Sequence, residues 1–106
     1  MREVHGIDDE RFNFDIYETE IVSANIIAVR AGTTGFCGGD SGHGGKTYFA
    51  IQDLGGTDIT INPTINECGD KGFEVVLGGD CELETIIDAL KFILQTLEED
   101  KKHESI

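Results

Sequence analysis

A change in hydrophobic period near residue 80 constrains the fold of this chain most strongly. Before that point the apolar residues occur in short runs that alternate with polar ones, and after it they recur every three or four positions. Alternation is typical of half-buried strands, whereas the longer spacing is typical of an amphipathic helix. The sequence therefore predicts an α+β fold, in which an antiparallel sheet of about five short strands precedes one long C-terminal helix.

Turn residues separate the predicted strands. Gly55 and Gly56 predict a tight turn, and Pro63 is expected to end the strand that follows it. Short connections of this kind favour antiparallel pairing. The five strands are predicted at 11–21, 22–30, 47–54, 57–62 and 73–77.

The predicted helix carries more apolar surface than one small sheet can cover. Asp80 is its predicted N-cap, and Lys101 and Lys102 suit the negative end of the helix dipole. Ala89 and Phe92 widen the apolar stripe further. We therefore expect a homo-oligomer, although a helix buried on all sides within one chain fits the same pattern. The stripe consists of Leu83, Ile86, Ile87, Leu90, Ile93, Leu94 and Leu97.

Length and composition are those of a soluble protein with one domain. The 106 residues are predicted to form a single domain, 1–106, with frayed ends at 1–10 and 100–106. No apolar run has the length of a membrane span, and the acidic start is not a secretory signal. Cys37, Cys68 and Cys81 are an odd number without a C-x-x-C pair, which predicts free thiols and a cytoplasmic location.

The charge distribution excludes one class of partner and marks one segment. A net charge of −13 argues against long nucleic acids, which are bound through many lysines and arginines. Between Phe12 and Asp70 the only cations are Arg30 and Lys46. Arg30 precedes, and Lys46 ends, the sequence AGTTGFCGGDSGHGGK at residues 31–46, the glycine loop, whose only acid is Asp40. The loop is therefore locally positive on a negative protein.

The composition of the glycine loop favours binding of an anion. Glycines allow a ligand to approach the main chain closely, and successive backbone N–H groups can form a concave phosphate site. A Walker A loop is excluded because a predicted strand, not a helix, follows it. A long hairpin loop that binds nothing remains the alternative. The predicted ligand-binding residues are Arg30, Thr33, Thr34, Phe36, Gly38, Gly39, Ser41, His43 and Lys46.

Two other interpretations of the loop are weaker. The GGDSG sequence resembles a serine-protease nucleophile motif, but Asp40, Ser41 and His43 are too close in sequence to form a triad. Cys37 and His43, with Cys68 and Cys81, are zinc-ligand types, but their spacing matches no familiar zinc motif. The sequence therefore predicts no catalytic residue, no metal site and no cofactor.

Two segments carry a resemblance to a known family. IVSANIIAVRAGTTGFCGGDSGHGGKTYFAIQDLGGTDI (21–59) and GGDCELETIIDALKFIL (78–94) resemble the first family of phage anti-Thoeris proteins. The resemblance covers roughly half of the chain. It implies a phage or prophage counter-defence protein in the host bacterial cytoplasm, which sequesters the cyclic ADP-ribose-type signals of bacterial TIR-domain enzymes without cleaving them. It also implies a dimer or a dimer-based hexamer, and in some members binding of cyclic oligonucleotides.

The resemblance assigns no individual ligand contacts, so the predicted site depends on the residue chemistry alone. A sequestering protein needs a tight site for a small phosphorylated ligand and no catalytic group, which agrees with the composition of the loop. The main alternative is an enzyme that hydrolyses a phosphodiester or ester with His43 as acid or base, assisted by a metal at Asp40. The third is a structural oligomer whose loop binds no ligand.

Overall fold

The fold is given by a computed structural model that describes residues 4–23, 25–36, 38–39 and 44–100. Six strands and one helix are formed within these residues. The elements are β1 (Val4–Ile7), β2 (Ile16–Val22), β3 (Ile26–Thr33), β4 (Thr47–Gly55), β5 (Ile59–Ile65), β6 (Lys71–Leu77) and α1 (Asp80–Asp100).

The strands form two antiparallel sheets. The first contains four strands in the order β1-β2-β3-β4, and the second is the β5–β6 hairpin. The predicted α+β class with one C-terminal helix is confirmed, but the prediction of a single five-stranded sheet is wrong. In the part of the chain that is described, β5 and β6 pair with each other and not with β4.

Several predicted boundaries are also corrected. The strand predicted at 22–30 is β3 (Ile26–Thr33), because Val22 still belongs to β2. Residues 4–7 were expected to fray, yet they form β1 and pair with β2 from Val4–Thr19 to Ile7–Ile16. The strand predicted at 11–21 begins only at Ile16, because a turn at 10–11 and a bend at 13–14 precede it. Pro63 does not end β5 but pairs with Phe73 within the hairpin. A proline is tolerated there because β5 has only one neighbouring strand, and its other edge needs no N–H donor.

The helix packs on one face of the four-stranded sheet. Its contacts are mainly with β3, one of the two inner strands, whose residues 27, 29 and 31 belong to the core with the helix. These side chains form the hydrophobic core and remove their apolar surface from water. The buried core residues are Ile21, Ile27, Val29, Ala31, Ala89 and Ile93, with Ile51, Ile86, Phe92 and Leu97 packed around them.

A buried hydrogen bond joins the helix to the turn between β2 and β3. The Thr85 hydroxyl donates to the side-chain oxygen of Asn25 over 2.8 Å, and both residues are buried. A buried polar group without its partner costs about 1–3 kcal/mol. The bond therefore fixes the position of the helix along the sheet.

Thr85→Val is expected to lower the free energy of unfolding by about 1–3 kcal/mol, because the Asn25 oxygen would stay buried without a donor. Urea denaturation followed by circular dichroism measures this change. The same substitution at the exposed Thr60 is the matched control and is expected to change stability little. Equal stability of the two variants would contradict a structural role for the Thr85–Asn25 bond.

The helix begins at Asp80, and the Gly79 carbonyl accepts the first helical hydrogen bond from the Leu83 N–H over 3.1 Å. Asp80 is thus the first helical residue and not the N-cap, although its charge still suits the helix dipole. Lys101 and Lys102 lie outside the described residues. No helix in the described ranges has the length and apolar character needed to cross a membrane.

Candidate functional site

Paired strands close the base of the glycine loop. Strand β3 extends into the loop as far as Thr33, which pairs with Thr47 of β4. One residue further, the Thr34 N–H donates to the Lys46 carbonyl over 3.0 Å, and the Lys46 N–H donates to the Thr34 hydroxyl over 3.0 Å. The Thr33 hydroxyl donates to the same Lys46 carbonyl over 3.0 Å. The sheet therefore holds the start and the end of the loop together.

Several glycines serve this closure directly. Gly35 and Gly38 have φ angles of 80° and 76°, a region that other residues rarely adopt. At Gly45 an added Cβ would overlap the Gly35 carbonyl oxygen and the Thr34 hydroxyl. Part of the glycine content therefore shapes the loop itself, independently of any ligand.

A cavity of about 500 Å³ lies between the glycine loop and the C-terminal part of the helix. Volumes of about 300–1,000 Å³ are usual for small-molecule sites. The wall on the loop side is mostly backbone, while the helix contributes two side chains. The described residues that line this glycine-loop cavity are Thr33, Gly35, Phe36, Gly38, Gly39, Gly44, Gly45, Thr47, Leu97 and Glu98.

Four of the predicted binding residues meet in this wall. Thr33, Phe36, Gly38 and Gly39 all line the cavity. The Phe36 side chain is 64% exposed, which leaves its ring available for stacking on a planar ligand. The wall therefore combines an exposed aromatic ring with glycine backbone, while the Thr33 hydroxyl is already bonded to the Lys46 carbonyl.

Arg30 lies on the opposite face of the sheet. Its neighbours in β3, Val29 and Ala31, belong to the core under the helix, so the alternation of the strand directs Arg30 away from the cavity. There the Arg30 Nε donates to a Glu18 carboxylate oxygen over 2.6 Å. This hydrogen bond raises the pKa of Arg30 above its ordinary value. The Arg30 guanidinium is thus already paired with the Glu18 carboxylate.

Thr34 and Lys46 do not line the cavity either. Thr34 follows Thr33 in the extended chain, and Lys46 lies between Gly45 and Thr47, which both line it. Their backbones pair with each other at the base of the loop. Among the described wall residues the only charged side chain is therefore Glu98. Ser41 and His43, together with Cys37 and Asp40, lie outside the described residues.

Two arginines, Arg11 and Arg30, lie near Tyr48 instead, on the face of the sheet that carries Arg30. The Arg11 guanidinium lies 5.0 Å from the centre of the Phe12 ring and 5.6 Å from that of Tyr48. Arg11 is paired with Asp9 over 2.7 Å, and the hydrogen bonds from Arg11 lower the pKa of Asp9 to about 2. Arg11 and Arg30 thus each have a carboxylate partner, which reduces their pull on a further anion.

The predicted list lacked six of the wall residues, namely Gly35, Gly44 and Gly45 within the loop and Thr47, Leu97 and Glu98 outside it. Thr47 is separated from Thr33 by the whole loop, but the pairing of β3 and β4 brings the two hydroxyls within 3.0 Å. Leu97 and Glu98 come from the end of the helix, far away in sequence. Leu97 continues the apolar stripe of the helix, and this was the only local signal for it.

The cysteines and possible metal ligands are dispersed where they can be located. Cys68 lies at the tip of the β5–β6 hairpin and Cys81 in the first turn of the helix, and both are exposed free thiols. Within the described ranges, no three His, Cys, Asp or Glu residues are grouped to hold a metal ion. Comparison with known proteins adds no further assignment, since no family model, curated protein or solved structure matches the chain significantly.

Proposed function

We propose that this protein binds and sequesters a small cyclic nucleotide of the cyclic ADP-ribose type without cleaving it. The observation that carries the proposal is the glycine-loop cavity, whose wall combines glycine backbone with the exposed ring of Phe36. Backbone N–H groups of glycine-rich loops can donate to phosphate oxygens, and an aromatic ring can stack on a base. The resemblance to phage anti-Thoeris proteins supports the same ligand class and a counter-defence role in the bacterial cytoplasm.

The absence of cleavage is part of the proposal. Among the described wall residues, Glu98 is the only titratable side chain, and one carboxylate does not supply both an acid and a base. A hydrolase built on His43 and Asp40 is the competing function, and a loop that binds nothing is the second. Cyclic oligonucleotides are further candidate ligands by the same resemblance.

One experiment separates these functions. The purified protein is titrated with a cyclic ADP-ribose isomer in a calorimeter, then denatured by heat, and the released compound is identified by mass spectrometry. We expect saturable binding and recovery of the intact nucleotide. Recovery of a cleaved product would support the hydrolase, and the absence of binding to every cyclic nucleotide tested would support the ligand-free loop.

Glu98→Gln is expected to raise the affinity for the nucleotide about two- to fivefold, because it removes a negative charge beside the bound phosphates. Glu99→Gln is the matched control, since Glu99 lies outside the cavity wall and accepts a hydrogen bond from Gln95 over 3.3 Å. Calorimetric titration of both variants measures the difference. An affinity that falls in Glu98→Gln alone would mean that Glu98 contacts the ligand as an acceptor.

We also propose that the protein is a homo-oligomer, a dimer or an assembly of dimers. The support comes from four apolar residues on the helix that the sheet leaves 42–59% exposed. Apolar patches of this kind on a folded chain are typical of interfaces. These residues, the exposed helix stripe, are Leu83, Ile87, Leu90 and Leu94.

A further inference from the structure

The β5–β6 hairpin carries a second apolar surface. Paired residues project to the same face, so the pairs Ile61–Val75 and Pro63–Phe73 belong to one side of the hairpin. The opposite side carries mainly polar residues. The apolar face of the hairpin consists of Ile59, Ile61, Pro63, Ile65, Phe73, Val75 and Leu77.

Most of this face is uncovered in the single chain. Ile61, Ile65 and Phe73 are 51%, 71% and 61% exposed. Near the base, the Asp58 N–H donates to a Glu82 carboxylate oxygen over 3.3 Å. Ile61, Phe73 and Val75 face β4 of the same chain across an apolar cavity of about 340 Å³, where the Phe73 ring lies 6.1 Å from that of Phe49. An isolated two-stranded hairpin is at best marginally stable in water. The hairpin therefore needs a further surface to pack against.

The exposed helix stripe has the matching length. Its residues follow one another at spacings of four, three and four, which gives a straight apolar line about 16 Å long at about 1.5 Å per residue. The seven residues of β5 extend over about 20 Å at about 3.3 Å per residue. The hairpin can therefore cover the whole stripe.

The charges around the two surfaces are complementary. Lys71, which pairs with Ile65, is the one charged residue on the apolar face of the hairpin. The exposed flank of the helix stripe carries Glu84 and Glu98 with Lys91 between them, so its net charge is negative. On a chain with a net charge of −13, a cation at this position reduces the repulsion between two copies.

We infer that the β5–β6 hairpin of one chain packs its apolar face on the exposed helix stripe of a second copy. The chain carries both surfaces, so a two-fold axis produces the contact twice and leaves neither surface open. The inference rests on the proposed homo-oligomer and specifies its interface.

Disulfide trapping between two variants tests this arrangement. Cys37, Cys68 and Cys81 are first replaced by serine, and then Phe73→Cys and Leu90→Cys are made in separate chains. Cysteines whose Cα atoms are about 4.4–6.8 Å apart form a disulfide readily. On mixing and mild oxidation we expect a covalent heterodimer, while neither variant forms a disulfide-linked dimer alone.

The control replaces Phe73→Cys by Thr60→Cys, which lies on the polar face of the hairpin opposite Val76 and is expected not to react with Leu90→Cys. If Phe73→Cys does not fold, Ile61→Cys on the apolar face takes its place. A disulfide between two Leu90→Cys chains would overturn the inference in favour of helix-on-helix packing. A dimer without any hairpin–helix disulfide would also overturn the inference. A monomeric protein would refute both the inference and the proposed oligomer, but it would leave the proposed nucleotide binding untouched.

Discussion

Gly45→Ala is expected to lower the affinity for a cyclic nucleotide about tenfold to a hundredfold while the rest of the fold remains. The added Cβ would overlap the Gly35 carbonyl oxygen and the Thr34 hydroxyl, so the two ends of the loop must move apart. Such a displacement costs about 1–3 kcal/mol, which corresponds to about one to two powers of ten in a binding constant. Because Gly35 and Gly45 both line the cavity, its wall changes shape directly.

Gly55→Ala is the matched control for this prediction. Gly55 is the last residue of β4, and an added Cβ there would meet no atom within 4 Å. Calorimetric titration gives the affinity of each variant, and thermal denaturation shows whether each one folds. Unchanged affinity in a folded Gly45→Ala protein would mean that the loop does not bind the ligand, and the glycine-loop cavity would no longer be the proposed binding site.

The hydrophobic periods in the sequence predict which segments form strands and which form the helix, but not which strands pair with each other. Strands were predicted at 57–62 and 73–77, and the structure has β5 (Ile59–Ile65) and β6 (Lys71–Leu77) there with shifted bounds. Period 2 does not specify a neighbour, however, and the same pattern fits a sheet or a separate hairpin. The position of Pro63 within β5 was misjudged for this reason, because a proline is excluded only where both strand edges are paired.

The structure separates Arg30 from the other predicted site residues, and the alternation of β3 in the sequence already indicated this separation. Arg30 precedes and Lys46 ends the glycine loop in sequence, but strand alternation separates Arg30 from Thr33, which is three residues further on. The apolar Val29 and Ala31 already indicated which positions of β3 face the core. Leu97 and Glu98 could not be predicted in the same way, because their contact with the loop joins distant parts of the chain.

Leu90→Glu is expected to convert the proposed oligomer into a monomer of 11.5 kDa. Leu90 lies in the middle of the exposed helix stripe and is 53% exposed in the single chain. An unpaired charge buried at an interface costs about 3–5 kcal/mol, or about a hundredfold to several-thousandfold in the dissociation constant, and a two-fold axis applies the cost twice. Because the side chain is exposed in the monomer, the free energy of unfolding of the single chain is expected to change little.

Gln95→Glu introduces the same charge on the exposed side of the helix away from the stripe, and it is expected to leave the oligomer intact. Sedimentation equilibrium of both variants at several protein concentrations gives the dissociation constants. A parallel increase in both would attribute the effect to the net charge, which higher salt would then reverse by screening. A wild-type protein that is monomeric at micromolar concentration would refute the interface. If only Leu90→Glu dissociates, and does so at both low and high salt, the oligomer contact is formed by the helix stripe.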